Sequence, residues 1–301
     1  EIAYTVQEEY VDDYVTSYET DGDRHIVVNT YKPYNDLIVS KSLVNATVAA
    51  AESDFTFTLV LMGSDGNPLT ERYEYETSDG RTGTIKNGDT FTLKGGQTIR
   101  VKDIPTHTTY EVTEESKKGF PKTEKEGDTG TILSRDISHA SFINTYESSG
   151  FMNLTAKKIL NGRALERYQF LFQVNEIRMD GTDLGMLRRS TNSADGTVTF
   201  GGVKYTEADD AVEHYFRIME TSAAKQGYTN DTTVIYVRMT PHDNGDGTVT
   251  CTPVYCDAEW NEISDTELMQ MADGYVIKAA SWNAMTEEEQ ENQQALHSDE
   301  D

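Results

Sequence analysis

Thr109-Tyr110-Glu111-Val112-Thr113-Glu114 is the stretch of sequence that decides the fold. Its alternation predicts a β-strand with Tyr110, Val112 and Glu114 on one face. An ionisable Glu on an aromatic and apolar face needs a partner, because an unpaired buried carboxylate is costly. Similar stretches occur at residues 4–8 (YTVQE) and 216–220 (FRIME). Each of the three stretches is followed by a predicted strand with an Asn. The stretches at 109–114 and 216–220 are also preceded by a predicted strand with a Lys. The sequence therefore predicts a row of modules built around Lys, Glu and Asn.

Composition and charge limit the class of protein. The chain has 301 residues, enough for two or three domains. It contains 17 Tyr, 10 Phe and only 6 Pro, which favours ordered β structure over disorder. The net charge is −26 and the pI is about 4.5. Such a chain repels nucleic acid and anionic membranes, so neither is expected as a partner. The charge suits an exposed extracellular surface.

Two further features concern covalent stiffness and context. Cys251 and Cys256 are the only two cysteines, which is too few for a disulfide framework in a chain of this length. They are either free or bridged locally. The sequence contains no signal peptide and no run of 18 apolar residues. Because it opens within a strand pattern, we expect it to be a fragment of a longer protein.

Strand and turn patterns divide the chain into four parts. Residues 1–34, the first segment, predict three strands, at 2–6, 14–18 and 25–31, as the C-terminal part of a domain. Residues 35–148 (the middle domain) and 149–285 (the last domain) have many short strands and almost no helical period. Residues 286–301 are an acidic tail, predicted to be a frayed helix or disordered. The predicted fold class is all-β, with tandem immunoglobulin-like β-sandwich domains.

The middle domain carries the sharpest chemical hypothesis. Lys41 and Asn144 each lie on the apolar face of a predicted strand, near the two ends of the domain. We predict an amide bond between them, promoted by Glu114. A Lys amine buried among Leu and Val has a lowered pKa and becomes a neutral nucleophile. A Glu in apolar surroundings can stay protonated, polarise the Asn carbonyl and shuttle protons while ammonia leaves. The reaction occurs once per molecule, so no turnover enzyme is expected.

The last domain repeats the pattern, with Lys158 on the face of Leu154 and Ala156, and with Glu220 at the end of a strand.

The predicted bond in the middle domain would close a loop on the order of 100 residues. In the chain-entropy model, closing a loop of that size stabilises the folded state by about 5 kcal/mol. Ordinary structural explanations also exist. A strand Lys often snorkels, a Glu at a strand end is usually solvated, and an Asn can cap a turn. The cross-link is favoured because the Lys, Glu and Asn pattern recurs along the chain, and because all three residues of the middle domain fall on the apolar faces of their strands.

Several stretches resemble known bacterial domains. Residues 37–44 (LIVSKSLV), 55–61 (FTFTLVL), 90–99 (TFTLKGGQTI), 108–115 (TTYEVTEE) and 141–146 (SFINTY) resemble CnaB-like repeat domains of Gram-positive surface proteins. Residues 154–165 (LTAKKILNGRAL), 168–174 (YQFLFQV), 191–206 (TNSADGTVTFGGVKYT), 215–222 (YFRIMETS) and 243–250 (DNGDGTVT) resemble the streptococcal-type pilin isopeptide-linkage domain. Residues 4–11 and 27–31 look like the tail of another CnaB-like domain.

The resemblance implies roles for individual residues. Lys41, Glu114 and Asn144 match the reactive Lys, the helper acid and the acceptor Asn, and Lys158 and Glu220 match their counterparts in the last domain. Lys157 falls on the other face by parity. The implied acceptor there is Asn283, although Trp282 is displaced by one position from the family's F-x-N-x-Y pattern and the Tyr is absent. Asn261 is the weaker candidate. Glu8 and Asn29 match in the first segment, with their Lys expected upstream of residue 1.

The resemblance also implies a function, a location and partners. The expected function is a structural stalk or pilin-like segment of a surface adhesin, anchored to the Gram-positive cell wall. The expected partners are neighbouring domains or subunits of the same surface protein or pilus, and a host or extracellular-matrix ligand. No cofactor and no metal are expected.

Two other readings stay open. An enzyme acting on an outside substrate would need a recognisable motif, but G-x-S-x-G, H-E-x-x-H and phosphate-loop patterns are absent. The six His are scattered and expected on the surface: His25, His107, His139, His214, His242 and His297. A calcium-dependent, ligand-binding adhesin module without cross-links could use Asp243, Asn244 and Asp246, but their spacing does not fit an EF-hand loop and suits a hairpin turn.

Overall fold

The structure is a computed structural model that describes residues 5–160, 164–223, 232, 234–263, 269–271, 274–276 and 286. The chain divides into two compact units between Ser148 and Ser149, and Gly245–Gly247 are assigned to the first. Both units are built almost entirely of β-strands, so the predicted all-β class with tandem β-sandwiches is confirmed. No helix among the described residues is long and apolar enough to cross a membrane.

The first segment is a β-hairpin. Strands β1 (Tyr14–Asp21) and β2 (Arg24–Tyr31) pair antiparallel over their full lengths. Gly22 in the connecting turn has φ +59°, a left-handed conformation that glycine adopts without strain. The additional strand expected at residues 2–6 is not seen in its described part, since residues 5–11 belong to no strand. A strand forms only where a neighbour accepts its backbone hydrogen bonds, and residues 5–11 have none in the described sheets.

The middle domain is a sandwich of a six-stranded and a four-stranded sheet. The strands of the larger sheet, in chain order, are β3 (Tyr34–Val44), β5 (Tyr73–Thr77), β6 (Thr82–Ile85), β8 (Thr98–Pro105), β10 (Lys122–Glu126) and β12 (Ser138–Thr145). Those of the smaller sheet are β4 (Phe55–Met62), β7 (Thr90–Leu93), β9 (Thr109–Glu114) and β11 (Thr129–Thr131). From one edge to the other, the strands of the larger sheet follow the order β10-β12-β3-β8-β5-β6, and those of the smaller sheet follow the order β11-β9-β4-β7. One short helix, α1 (Val48–Ala51), is capped by the Thr47 hydroxyl, which accepts from the backbone N–H of Ala50 at 3.2 Å.

The core between these sheets follows directly from sequence alternation. In β4, Phe55, Phe57, Leu59 and Leu61 are at most 1% exposed, while the residues between them are partly exposed. Fully burying such a side chain contributes about 1.5–3 kcal/mol. The same core surrounds Lys41 in β3, which is only 1% exposed.

The topology brings the two ends of the middle domain together. β3 and β12, its first and last strands, pair in parallel, with Lys41 opposite Phe142 and Asn144 opposite Leu43. β9 lies in the other sheet, where Glu114 is paired with Phe57. The carboxylate therefore reaches Lys41 and Asn144 across the core.

The last domain also contains two main sheets. β13 (Ser149–Lys157) pairs with β16 (Thr197–Thr206). A five-stranded sheet has the order β15-β14-β17-β18-β21. Its strands are β14 (Leu171–Ile177), β15 (Asp183–Thr191), β17 (His214–Glu220), β18 (Val234–Met239) and β21 (Val254–Cys256). Apolar side chains from both sheets form the core, among them Leu154, Val174, Phe200, Phe216 and Val237.

Small elements complete the last domain. They are the 3₁₀-helix η1 (Glu207–Asp209), the hairpin of β19 (His242–Asp243) with β20 (Val249–Thr250), and the pair β22 (Met269–Met271) with β23 (Gly274–Val276). Cys251 and Cys256 are both free thiols, and burial raises the pKa of each. The acidic tail prediction falls outside the described residues except for Thr286.

Candidate functional site

Lys41, Glu114 and Asn144 converge in the core of the middle domain. Lys41 and Asn144 come from adjacent parallel strands, and Glu114 comes from the end of β9 in the facing sheet. The side chains of Lys41 and Glu114 are 0% and 4% exposed, and Asn144 is 2% exposed. Such burial of three polar groups is costly unless they are paired or have a chemical role.

One carboxylate oxygen contacts both nitrogen atoms. Oε1 of Glu114 lies 3.0 Å from Nζ of Lys41 and accepts a 2.7 Å hydrogen bond from Nδ2 of Asn144. The other carboxylate oxygen, Oε2, and the Asn144 carbonyl oxygen, Oδ1, are buried without a hydrogen-bond partner among the described residues. The site is therefore compact and buried, and two of its oxygen atoms remain available as hydrogen-bond acceptors.

The surroundings of Lys41 make its amine easier to deprotonate. Burial lowers the pKa of Lys41, and the hydrogen bond and charge of Glu114 oppose this effect without cancelling it. The ammonium group also lies 4.3 Å from the centre of the Phe55 ring. The aromatic ring thus covers the ammonium group on one side.

The geometry suits proton transfer between the two nitrogen atoms. Glu114 Oε1 is within reach both of the Lys41 nitrogen, which would attack, and of the Asn144 nitrogen, which would leave. The sequence suggested that Glu would polarise the Asn carbonyl. In the structure the amide nitrogen of Asn144, and not its carbonyl oxygen, faces the carboxylate.

The last domain holds a second Lys–Glu pair. Nζ of Lys158 lies 2.8 Å from Oε2 of Glu220, and the two side chains are 11% and 2% exposed. The Lys158 ammonium lies 4.5 Å from the centre of the Phe170 ring, which matches the position of Phe55 beside Lys41. Oε1 of Glu220 is buried without a partner among the described residues.

Of the two candidate acceptors in the last domain, the structure describes only Asn261. Asn283 lies outside the described residues. Asn261, the weaker candidate, is exposed, and its Nδ2 donates to Oδ2 of Asp257 at 2.9 Å. Its backbone N–H donates to the same carboxylate. These contacts give Asn261 a turn-stabilising role.

Lys157 and Lys158 point to different partners, as strand parity requires. Nζ of Lys157 lies 3.9 Å from Oδ2 of Asp195, whereas Lys158 contacts Glu220. Lys157 is 7% exposed, and burial lowers its pKa. It is therefore a second buried amine in the last domain, directed away from Glu220.

The first segment repeats part of the site. Nδ2 of Asn29 donates to Oε1 of Glu8 at 2.9 Å, as Asn144 donates to Glu114 at 2.7 Å. The hydroxyl of Thr16 donates to the Asn29 carbonyl oxygen at 2.8 Å. The Glu–Asn arrangement thus occurs twice among the described residues.

Sequence reasoning missed the two aromatic rings. Phe55 and Phe170 each begin a phenylalanine-x-phenylalanine stretch, FTF at 55–57 and FLF at 170–172. The spacing to the Lys, 14 residues in one domain and 12 in the other, is the signal that could have found them. In both domains the first Phe contacts the Lys ammonium.

Other buried Asn side chains show what a structural role looks like. Oδ1 of Asn192 accepts from the backbone N–H of Phe170, and its Nδ2 donates to two backbone carbonyls. Nδ2 of Asn35 donates to the carbonyls of Leu133 and Asp136. The Nδ2 atoms of Asn35 and Asn192 thus donate to backbone carbonyls, whereas Nδ2 of Asn144 donates to a carboxylate, as does that of the buried Asn175.

The residues considered for a calcium site or for an enzyme include several with ordinary structural contacts. The side chain of Asn244 bonds to the hydroxyls of Thr248 and Thr250 in the β19–β20 hairpin. No group of three or more His, Cys, Asp or Glu suited to a metal ion occurs among the described residues. Of the six His, His214 departs from the expected surface position, since it is partly buried with Nδ1 3.1 Å from Glu176. His297 lies outside the described residues.

Two family models match parts of the chain. Residues 35–146 match the model of a domain of unknown function, DUF7601. Residues 154–267 match the model of the Spy0128-like isopeptide containing domain, FctA. None of the curated proteins compared with the chain matches it.

Several solved structures are similar to parts of the chain. The pilus-presented adhesin Spy0125 (Cpa) is 19% identical over 38% of this chain and 27% of its own, with a TM-score of 0.32. The major pilin protein T-13 from Streptococcus pyogenes is 17% identical over 46% of this chain and 64% of its own, with a TM-score of 0.31. This chain thus spans about a quarter of the adhesin. Residues 154–267, somewhat over a third of the chain, are thus similar to the Spy0128-like isopeptide containing domain.

Proposed function

We propose that this chain is a stiff structural segment of a pilus or adhesin, held together by amide bonds between side chains. The bonds join Lys41 to Asn144 and Lys158 to Asn283, and Glu114 and Glu220 promote their formation. The observation that carries the proposal is the position of Glu114 Oε1, 3.0 Å from the Lys41 nitrogen and 2.7 Å from the Asn144 nitrogen.

The reaction at the first bond follows from that position. The neutral amine of Lys41 attacks the side-chain carbon of Asn144, so a carbon–nitrogen bond forms. Glu114 takes a proton from the attacking nitrogen and delivers a proton to Nδ2. The bond from the Asn144 carbon to Nδ2 then breaks, and ammonia leaves. Burial lowers the pKa of Lys41 and so supplies the unprotonated nucleophile.

The folded core supplies the rate. The three groups lie on strands that are held by backbone pairing and by apolar packing, so no encounter between separate molecules is needed. Each molecule reacts once and keeps the product. We therefore propose an autocatalytic maturation step, and no catalytic turnover on an outside substrate.

The bond would give the middle domain mechanical stiffness. β3 and β12 are the first and last strands of the domain and lie side by side. A covalent link between them carries force directly from one end to the other. The residues between Lys41 and Asn144 are then shielded from extension, as is the core that they form.

Location and partners follow from the same role. A segment stiffened in this way suits a filament or stalk outside the cell, where disulfides are the usual alternative and both cysteines here are free thiols. The net charge of −26 keeps such a surface soluble. We propose attachment to the Gram-positive cell wall, with neighbouring domains or pilus subunits as partners, and a host or extracellular-matrix ligand contacted by the assembled protein.

Intact-mass measurement of the purified protein tests the proposal. We expect a mass lower than the sequence mass by two ammonia molecules, one for each bond. Digestion should yield one branched peptide that contains Lys41 and Asn144 and another that contains Lys158 and Asn283. A mass equal to that of the unmodified sequence would overturn the covalent claim.

A further inference from the structure

An open cleft lies at one side of the middle domain, between the two sheets of the sandwich. β6 is the edge strand of the larger sheet at that side, and β7 is the edge strand of the smaller sheet. The turn of residues 86–89 joins the two strands. The cleft between them has a volume of about 480 Å³. Every residue of the middle domain is described, and no other strand of this domain pairs with either edge.

The main chain of β7 presents hydrogen-bonding groups to this cleft. The N–H of Leu59 in β4 donates to the carbonyl of Asp89 at 3.2 Å, so Asp89 is at a position that bonds to β4. Because bonded positions alternate along an antiparallel pair, Thr90 and Thr92 direct their N–H and C=O groups away from β4. The contact of Arg81 agrees with this direction, since its Nη2 donates to the Thr92 carbonyl oxygen at 3.2 Å.

The main chain of β6 presents a second open edge. The N–H of Thr77 donates to the carbonyl of Arg81 at 2.9 Å, so Arg81 is at a position that bonds to β5. By the same alternation, Thr82 and Thr84 direct their N–H and C=O groups away from β5. Thr84 lines the cleft from this side. Two unpaired strand edges therefore border one cleft, and such edges are templates for pairing with another chain.

The floor of the cleft is apolar. Ile85 and Ile99 are 2% and 0% exposed, and the partly buried rings of Tyr75 and Phe91 lie beside them. Gly83 leaves room for one of these rings, since a Cβ at residue 83 would lie 2.9 Å from Oη of Tyr75. A strand placed between the two edges would direct every second side chain onto this floor.

Charged side chains mark the two ends of the cleft. Arg81 lies at the end where β6 begins, and Asp89 lies at the end where β7 begins. Nε of Arg81 donates to Asp79 at 2.9 Å, whereas its Nη1 bonds to none of the described residues. Asp89 lies 3.6 Å from the exposed Arg72. An occupant with an acidic group at one end and a basic group at the other complements these charges.

We propose that the cleft binds an extended segment of another protein as an added β-strand. The segment bonds through its main chain to Thr90 and Thr92 and places alternate apolar side chains against Tyr75 and Phe91. Strand addition takes its affinity from main-chain hydrogen bonds and its selectivity from pockets for alternate side chains. Two rows of main-chain donors and acceptors favour a peptide main chain over other ligands.

The direction of the segment follows from the edge and the charges. Antiparallel pairing with β7 is the more stable arrangement, so the segment starts near Arg81 and ends near Asp89. An acidic residue therefore precedes the apolar positions, and a basic residue follows them. The contact of Arg81 with the Thr92 carbonyl does not block this pairing, because a carbonyl oxygen has two lone pairs and accepts a second hydrogen bond.

The probe is the capped peptide DTVTVTK, which has this polarity and carries valine at the two inward positions. Peptides with leucine or tyrosine in place of both valines extend the test to larger side chains. Hydrogen exchange of the whole chain is measured by NMR with and without peptide. We expect exchange of the Thr90 and Thr92 amides to slow about tenfold when the free peptide is at about ten times its Kd.

A modified peptide and two variants test the geometry. A DTVTVTK peptide that is N-methylated at its threonines keeps the side chains but lacks the donors that face β7, and should cause no slowing. Thr92→Pro removes the outward N–H at a strand edge, where proline is tolerated, and should weaken binding at least about tenfold. The matched control Thr92→Ala keeps the N–H and should bind like the unchanged protein. Gly83→Ala pushes the Tyr75 ring into the cleft and should also weaken binding, and circular dichroism reports that each variant is folded.

The outcomes separate this inference from the proposed bond between Lys41 and Asn144, on which it does not depend. Ammonia loss at Asn144 with no slowing of exchange by any of the peptides at millimolar concentration would overturn the strand site alone. Slowing by the N-methylated peptide, or unchanged binding by folded Thr92→Pro protein, would overturn the main-chain pairing. Dimerisation of the chain that protects the same amides without peptide would overturn the separate partner and assign the edge to a second copy.

Discussion

Nζ of Lys41 lies 3.0 Å from Oε1 of Glu114, and both side chains are almost completely buried. A buried ion pair contributes little net stability, because desolvation of the two charges offsets their attraction. The pair is therefore poorly explained as a device for stability. It is well explained as the nucleophile and proton carrier of a reaction with Asn144, which contacts the same carboxylate oxygen.

The first prediction concerns the residues that form the middle-domain bond. Lys41→Ala or Glu114→Ala should raise the intact mass of the domain by one ammonia relative to the unchanged protein, after allowance for the substitution. Lys41 supplies the nucleophile, and Glu114 moves the protons. Lys102→Ala is the matched control, since Lys102 pairs with Glu76 at the surface. Loss of two ammonia molecules by the Lys41→Ala variant, as in the unchanged protein, would exclude Lys41 as the bonded amine.

The second prediction concerns stability. Asn144→Ala should lower the free energy of unfolding of the middle domain by about 5 kcal/mol, because the closed loop of about 100 residues is opened. Denaturant titration followed by a middle-domain probe measures this. Asn261→Ala, at an exposed turn, should leave the middle-domain transition unchanged. A fall below about 1 kcal/mol for Asn144→Ala would indicate that no bond was lost.

The third prediction distinguishes two neighbouring lysines of the last domain. Lys158→Ala should abolish ammonia loss in that domain, because Lys158 contacts Glu220 at 2.8 Å. Lys157→Ala should preserve it, because Lys157 is directed to Asp195. Digestion and mass mapping identify the acceptor as well. A branch at Asn261 in place of Asn283 would require the turn around Asp257 to open.

The fourth prediction concerns pH. In the Asn144→Ala variant the Lys41 amine stays free, and its pKa in the folded protein is below the ordinary value of 10.5 because of burial. The unfolded chain then binds more protons than the folded one between those two pKa values, so stability rises with pH across that window. Denaturant midpoints measured at a series of pH values test this. The double variant Lys41→Met, Asn144→Ala should lack this rise, and equal pH dependence in both variants would contradict the prediction.

Sequence patterns predicted the strands and buried residues of the middle domain correctly, but they were wrong about a strand near the start of the chain. Alternation in 55–61 and 109–114 identified β4 and β9, and parity correctly directed Lys41 and Asn144 into the core. The prediction of a strand at residues 2–6 was wrong in its described part, since residues 5–11 belong to no strand. Alternation reports which faces a strand would have, but a strand also needs a neighbour that accepts its hydrogen bonds.

Local sequence by itself determined the strands, the glycine-containing turns and the burial of the lysines, because side chains alternate between the two faces of a strand at period 2. It also identified Lys, Glu and Asn as a recurring set. Only the tertiary structure decided that β3 and β12 are parallel neighbours and that Glu114 reaches both nitrogen atoms from the facing sheet. It alone revealed the Phe rings beside Lys41 and Lys158. Contacts between residues about 100 positions apart depend on how the sheets pair and pack, which no local pattern encodes.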